Sequence, residues 1–335
     1  MESAYKGTIG FLVAILAISS TLISLPVSNE SSLLHVSFDA TREVLLEIGE
    51  AFKGHLLEKG ITPPNLIQSH GSSGSQARAV VAGLPADIVS LAVWPDLETV
   101  VKQPKTPLLD EHWLDAASPW FTTMVFVVRK GNPKKVFEWE DLERENISII
   151  IPNPKVSGNG KLAFLALYGA MKVKGLPEER IYQFLKSVFS RIPVLESSSR
   201  AATLSFATKG LGDVQVTYES EAELVLREGL ELEKVIPKTS IKAPLPIVPL
   251  VRSGQSAQIN RMSNEYIDFF NSEKAQDILA KHGFRPTNNT IARKYHDKFP
   301  LPYKFFTVEE ISGSWSKANK SFFAIDGLFD KVMTR

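Results

Sequence analysis

The chain has 335 residues, too many for one ordinary hydrophobic core, so two domains are expected. Its 38 basic and 37 acidic residues leave a formal net charge of +1, which excludes the broad basic face of a nucleic-acid binder and requires any anion site to be built locally. There is no cysteine, which excludes disulfides, thiol nucleophiles, Cys-based metal sites and a lipid-modified cysteine.

From Gly7 to Asn29 no charged residue occurs, and Ile9 to Ile18 is an apolar run. Residues 1–29 read as a secretory signal peptide, with Val27-Ser28-Asn29 a candidate cleavage point, which implies export to the periplasm. The alternative is an uncleaved anchor, since a spanning helix needs about 20 apolar residues. The polar Ser19-Ser20-Thr21 and helix-breaking Pro26 favour the cleaved signal.

Beyond it, Leu33–Phe38 predicts a first strand, and Val44, Leu45, Ile48, Ala51 and Phe52 recur at helical spacing behind an N-cap at Asp39 or Thr41. Leu66-Ile67 reads as a short strand, followed by a Ser/Gly loop and a helix from Gln76 to Ala82, then a buried strand at Ala86–Val93. Trp120–Arg129 predicts one long strand closed by the turn Lys130-Gly131-Asn132-Pro133. A strand at Ile147–Ile151, helices at Leu162–Lys172 and Glu178–Phe189, a strand at Asp213–Tyr218 and a helix at Glu219–Arg227 follow. After the Pro-rich crossing Ala243-Pro244-Leu245-Pro246 come a strand at Ile247–Val251 and helices at Ala257–Asn271 and Glu273–His282. In the tail, Phe299, Phe305, Phe306 and Trp315 are expected to pack across a lobe surface.

Strand–helix alternation argues for an α/β fold with mostly parallel sheets flanked by helices. Hinges at the turn after Arg129 and at the crossing before Ile247 would give a discontinuous lobe I, 30–131 plus 243–335, and an inserted lobe II, 132–242.

Four loops each follow a strand and open a helix: Phe38-Asp39-Ala40-Thr41, Ser69 to Ser75, Pro154 to Lys161 and Glu196 to Arg200. Helix N-termini present unpaired N–H groups and the positive end of the dipole, so they bind anions without a formal charge. Taken singly, a Ser/Gly loop is a turn with a cap. Four on the same side of their strands, two in each lobe, outline a cleft. Catalytic residues are not indicated. His70 lies beside Ser69 and Ser73 but no G-x-S-x-G elbow is present, and a loop-bracing hydrogen bond is its expected role. No spacing suggests a metal site, and no phosphate or dinucleotide loop calls for a cofactor.

The segments Val36 to Glu43, Gln68 to Ala77, Val127 to Lys134, Pro152 to Asn159, Lys209 to Val214 and Gly313 to Trp315, in that order, resemble the periplasmic sulfate- and thiosulfate-binding proteins of bacterial ABC importers. The resemblance runs from about Leu33 to Asp330 and implies a two-lobed type II periplasmic-binding fold, with sulfate or thiosulfate held in the cleft by neutral donors. It implies ligands at the backbone of Asp39, the backbone and hydroxyl of Ser73, the hydroxyl of Ser157, the backbones of Gly158, Asn159 and Ser199, and the side chain of Tyr218, where sulfate members place an indole donor. Arg42, His70, Lys161 and Arg200 are expected just behind them, with the Asp39 carboxylate turned toward a cation such as Arg42 or Lys161. Tyr218, followed by Glu219-Ser220-Glu221, and Asn159 in place of Gly lean toward the thiosulfate type, and a Ser199 hydroxyl could add one donor. The implied partner is a membrane permease, with the protein a monomer. Alternatives are another oxyanion, molybdate or phosphate, and a hydrolase.

Overall fold

The computed structural model describes residues 32–102, 117–252, 254–300 and 304–334; the signal-peptide reading, at 1–29, lies outside the described residues. In chain order, β1 (Ser32–Phe38) leads through a single 3-10 turn (Asp39–Thr41) into α1 (Arg42–Glu58), then β2 (Asn65–Gly71), α2 (Ser73–Val81), β3 (Ile88–Ser90) and α3 (Trp94–Val101). There follow β4 (Trp120–Thr122), β5 (Met124–Arg129), β6 (Ile149–Pro152), α4 (Gly158–Lys172), α5 (Glu178–Ser190), β7 (Leu195–Glu196) and α6 (Ser199–Ala207). Then come β8 (Val214–Tyr218), α7 (Glu219–Arg227), β9 (Leu232–Val235), β10 (Thr239–Ile241), β11 (Ala243–Pro244) and β12 (Val248–Pro249). The chain continues through α8 (Ala257–Phe269), α9 (Glu273–Lys281), β13 (Arg285–Pro286) and β14 (Lys304–Phe306), and short helices complete the tail.

The fold is the expected two-lobed α/β arrangement. One sheet runs β12-β3-β1-β2, with β1 parallel to both neighbours and β12 antiparallel. A second runs β7-β6-β8-β5-β9, with β6 parallel to β7 and β8 and β5 antiparallel to β8 and β9, and smaller sheets pair β10 with β14 and β4 with β11 and β13. Helices cover both faces of the central strands, which is why Ile149, Ile150 and Ile151 are all fully buried instead of alternating.

Two parts of the expected division change. The strand foreseen across Trp120–Arg129 breaks at Thr123: β4 pairs with β11 and β13, whereas β5 pairs with β8 and β9. The break has a local cause. The Thr123 hydroxyl donates to the Ile241 carbonyl at 2.9 Å and its own carbonyl accepts the Glu219 N–H at 3.0 Å, so the residue bonds outside either ladder. β5, counted above with lobe I, therefore sits in the second sheet. The tail, also counted with lobe I, returns to that sheet's helices, where Phe322, Phe323 and Phe329 ring Phe164 at 5.6–5.9 Å and Phe322 lies 4.7 Å from Tyr168. Each such ring pair adds dispersion to area burial, which outweighs an exposed tail. Between the sheets, Glu219 is fully buried and paired with Arg285 at 2.7 Å, joining α7 to β13.

In the middle of α4, Gly169 faces Phe306: a Cβ there would lie 2.2 Å from the ring. In an exposed helix, Gly to Ala stabilises by about 1 kcal/mol. Here Gly169→Ala should instead destabilise by about 1–3 kcal/mol through overpacking against a buried ring. Denaturant unfolding checks the sign, and a gain in stability would mean that Phe306 yields.

Candidate functional site

The first turn is held from beneath by a chain of hydrogen bonds whose direction can be deduced. Thr41 spends its hydroxyl proton on the Phe38 carbonyl at 2.7 Å, so it must accept from Ser37, also at 2.7 Å. Ser37 must then accept from Ser90 at 2.7 Å, and Ser90 from His35 Nε2 at 2.8 Å. That tautomer leaves His35 Nδ1 to accept from the Tyr266 hydroxyl at 3.4 Å. Burial, reinforced by His70, pushes the His35 pKa down to about 3, so the ring is neutral, as the chain of donors requires. The backbone at Asp39 is thus fixed to the core of the first sheet.

α2 opens at Ser73, three residues before the sequence reading placed it, and so the Ser73 side chain belongs to a helix first turn. Its hydroxyl oxygen accepts the Ala92 N–H at 3.1 Å, which leaves its proton free for a third group. α4 likewise opens four residues early, at Gly158, with Ser157 as N-cap accepting the Gly160 N–H at 3.3 Å. A Cβ on Gly158 would lie 2.5 Å from Ala92 Cβ and 3.2 Å from Ser73 Cβ, so the second and third turns touch and only glycine fits between them. α6 opens at Ser199, with Ser198 capping Ala201 at 3.2 Å.

The fourth turn meets the others through two bonds. Asn159 Nδ2 donates to Ser199 Oγ at 2.6 Å and to Thr217 Oγ1 at 3.0 Å. The Arg200 N–H donates to Asp39 Oδ2 at 3.0 Å, linking first turn to fourth. Tyr218 completes the group from the end of β8: fully buried, its ring edge-on to Phe38 at 6.0 Å, its hydroxyl without a partner among the described residues. Burial, aided by the charges of Asp39, Asp96 and Glu221, pushes its pKa well up, so the phenol keeps its proton and can donate. Asp39, Ser73, Ser157, Gly158, Asn159, Ser199 and Tyr218 are therefore gathered in one place. All seven are buried, so their donors have been taken out of water.

Arg200 and Lys161, the cations beside the site, are already paired with carboxylates. Arg200 holds Glu43 through both nitrogens, at 2.9 and 3.0 Å, and reaches Glu221 at 3.4 Å. Lys161 pairs with Asp96, both nearly buried. The cation expected beside the Asp39 carboxylate is thus absent from that place: Lys161 is engaged by Asp96, and Arg42 lies on the exposed face of α1. A helix N–H, that of Arg200, takes the role instead, because the first turn of α6 has an unpaired donor aimed along its dipole. His70 braces its loop through Nε2 to Gln68 Oε1 at 3.1 Å, and burial lowers its pKa to about 4, so it brings no charge.

Asp96 and Thr217 escape the sequence reading, and Glu43 and Glu221 enter it only as members of matching segments, without a role at the site. Acidic residues in a helix first turn read as dipole partners, and a Thr in a buried strand carries no pattern of its own. Among the described residues no group of three or more His, Cys, Asp or Glu side chains could hold a metal ion, and no helix is long and apolar enough to cross a membrane.

The chain is also similar to known proteins along most of its length. A family model described as bacterial extracellular solute-binding protein matches residues 34–285. The sulfate-binding protein of Salmonella typhimurium (strain LT2) is 35% identical over 339 residues, covering 98% of this chain and 99% of its own length. The thiosulfate-binding protein of Escherichia coli (strain K12) is 33% identical over 326 residues, covering 95% and 96%. Among solved structures, the sulfate-binding protein SubI from Mycobacterium tuberculosis H37Rv has a TM-score of 0.78 at 30% identity, covering 88% of this chain and 99% of that one.

Burial pushes the Glu221 pKa up to about 7; Arg200 and a hydrogen bond from Thr203 oppose the shift, and the charges of Asp39 and Glu43 add to it. A carboxyl whose folded pKa exceeds its unfolded value of 4.5 stabilises below that value, and the contribution is lost as pH rises toward 7. Glu221→Gln should therefore flatten the fall in stability across that window. Thermal midpoints measured over the pH series check it; parallel curves for the two proteins would contradict the assignment.

Proposed function

The chain belongs to the bacterial extracellular solute-binding proteins, and on that premise we propose that it captures sulfate or thiosulfate and delivers it to the membrane permease of an ABC importer. The observation that carries this reading is the meeting of four helix first turns at a place where the side-chain donors are neutral and every nearby cation is matched by a carboxylate. A dianion in such a site is balanced by N–H dipoles and hydroxyl protons. The proposed ligand set is the N–H of Asp39, the N–H and hydroxyl of Ser73, the hydroxyl of Ser157, the N–H groups of Gly158, Asn159 and Ser199, and the phenol of Tyr218.

Proton count selects the anion. Sulfate and thiosulfate carry no proton at neutral pH and offer only acceptors. Hydrogen phosphate offers a proton that a wall of donors cannot receive, and an unpaired buried polar group costs about 1–3 kcal/mol. The Asp39 carboxylate is turned toward α6, where its Oδ2 accepts the Arg200 N–H at 3.0 Å.

In this reading the protein is a monomeric carrier in the periplasm and does no chemistry. Its two lobes close on the anion about crossings we propose near Thr123 and between Val235 and Ala243, where the chain passes from one sheet system to the other.

Calorimetric titration with sulfate, thiosulfate, phosphate and molybdate tests the proposal. Saturable binding of the first two is expected. Ser157→Ala should weaken it about 10–100-fold, as loss of one or two bonds to a charged group does. Gly158→Ala should weaken it more, because the added methyl wedges Ala92 and Ser73 apart. Binding of phosphate or molybdate alone would refute the reading.

A further inference from the structure

Lys155 lies in the third of the four turns, two residues before Ser157, and its side chain is committed to the C-terminal tail. Its ammonium donates to the carbonyls of Phe323 at 3.0 Å and Ala324 at 3.1 Å and meets Asp330 Oδ1 at 2.7 Å. Three acceptors match the three protons of an ammonium. Both carbonyls stand at the end of the helical turn Asn319–Phe323, where a lysine is a suitable cap. Asp330 is fixed in its own right, because its other carboxylate oxygen accepts the Asp326 N–H at 3.0 Å. The same tail grips the middle of α4 through Phe322, Phe323 and Phe329 around Phe164. It therefore holds α4 along its length and also holds the loop that leads into it.

That loop is tightly folded. The Asn153 side chain accepts the Lys155 N–H at 2.9 Å, and the Asn153 carbonyl accepts the Ser157 N–H at 2.9 Å. A Cβ on Gly160 would lie 2.5 Å from the Pro152 carbonyl oxygen, so the loop sits directly on the first turn of α4. The Lys155 and Asp330 side chains are 31% and 36% exposed, and an ion pair so open to water adds about 0–1 kcal/mol to stability. Its consequence is placement more than stability. We propose that Lys155 is a positioning residue for the anion: anchored to Phe323, Ala324 and Asp330, it makes the C-terminal tail the support against which the Ser157 turn is set. This deepens the sulfate or thiosulfate reading and rests on it.

Calorimetric titration of the full chain with sulfate and thiosulfate tests this, alongside native-state hydrogen exchange. Lys155→Met should weaken sulfate about three- to tenfold, because the Ser157 and Gly158 donors are loosened, not lost. Lys155→Arg, which keeps the charge and the donors, should recover most of that. Asp330→Ala should also weaken binding, and combining it with Lys155→Met should cost no more than Lys155→Met alone. Ile325→Ser, at a tail residue 90% exposed, should bind as the native protein does. Without ligand, Lys155→Met should quicken exchange at the Ser157 and Gly160 amides and leave the β1 and β3 amides unchanged, which a general loss of stability would not do. Tighter binding by Asp330→Ala would mean that the freed Lys155 charge acts on the anion directly, and would overturn the proposal. Native affinity in Lys155→Met, or native exchange at its Ser157 amide, would overturn it too. Failure of the native protein to bind either sulfur oxyanion would instead overturn the functional reading beneath it.

Discussion

A buried hydrogen-bond donor must find an acceptor, and the architecture around the cleft follows from where that rule is satisfied and where it is left for a ligand. Each of three α-helices begins at the site with two or three N–H groups that its own backbone cannot pair. The protein caps some of them itself: Ser157 takes the Gly160 N–H, Ser198 takes that of Ala201 and the Asp39 carboxylate takes that of Arg200. The caps are placed one or two residues into each helix, so the N–H at the very start, on Gly158 and on Ser199, is the one that faces the other turns. A hydroxyl that accepts a backbone N–H also keeps its proton, as those of Ser73 and Ser157 do.

The charges nearby obey a complementary constraint. A lone cation would bind anions more strongly but with little regard to their protons, and a buried unpaired charge is expensive. Arg200 is spread over Glu43 and Glu221, and Lys161 is given to Asp96, so these groups tie the elements of the two sheets together without leaving an unpaired cation at the site. The same economy holds beneath the first turn, where a neutral His35 feeds a one-way line of hydroxyls that ends on the Phe38 carbonyl. A protonated His35 would still donate to Ser90 but would lose the lone pair that receives Tyr266.

What could be read in advance was what has a period or a motif. The β–α alternation, α7 at Glu219–Arg227 and the four site-forming turns stand out in the sequence because their residues serve local structure and site at once. What escaped depends on partners far along the chain. α3 begins at Trp94-Pro95-Asp96 directly after a buried strand and its residues are nearly all buried, so no polar face marked its start. The strand at Trp120–Arg129 carries only Thr122-Thr123 at its break, residues that also suit a strand interior, and the break itself comes from Ile241 and Glu219 bonding to Thr123. The tail's aromatic residues announced a surface to cover but not which one, since Phe164 and Phe189 present a ring cluster no sequence pattern separates from core. Asp39 was read as a group seeking a cation because a carboxylate usually does. The helix N-terminus that takes it offers the same positive potential without a charged side chain to recognise.

These constraints bear on how selectivity and closure can be the same event. The donors that would surround an anion come from turns in both sheet systems: Asp39 and Ser73 lead from the first, Ser157, Ser199 and Tyr218 from the second. None of the turns alone encloses a tetrahedral ligand. The Ser73–Gly158 contact and the Arg200–Glu43 pair are both formed in the structure; under the proposed function an anion that satisfies every donor is compatible with them, whereas one with a misplaced proton leaves one donor facing another. Gly158 makes this sensitive, because the gap it fills has no slack: the nearest carbon would be 2.5 Å from any Cβ placed there. Under the proposed function the cost of a mismatched proton is thereby felt twice, once as an unmade hydrogen bond and once as lobe contacts that cannot close, which is how a site without an unpaired cation can reject an anion of the same size and shape.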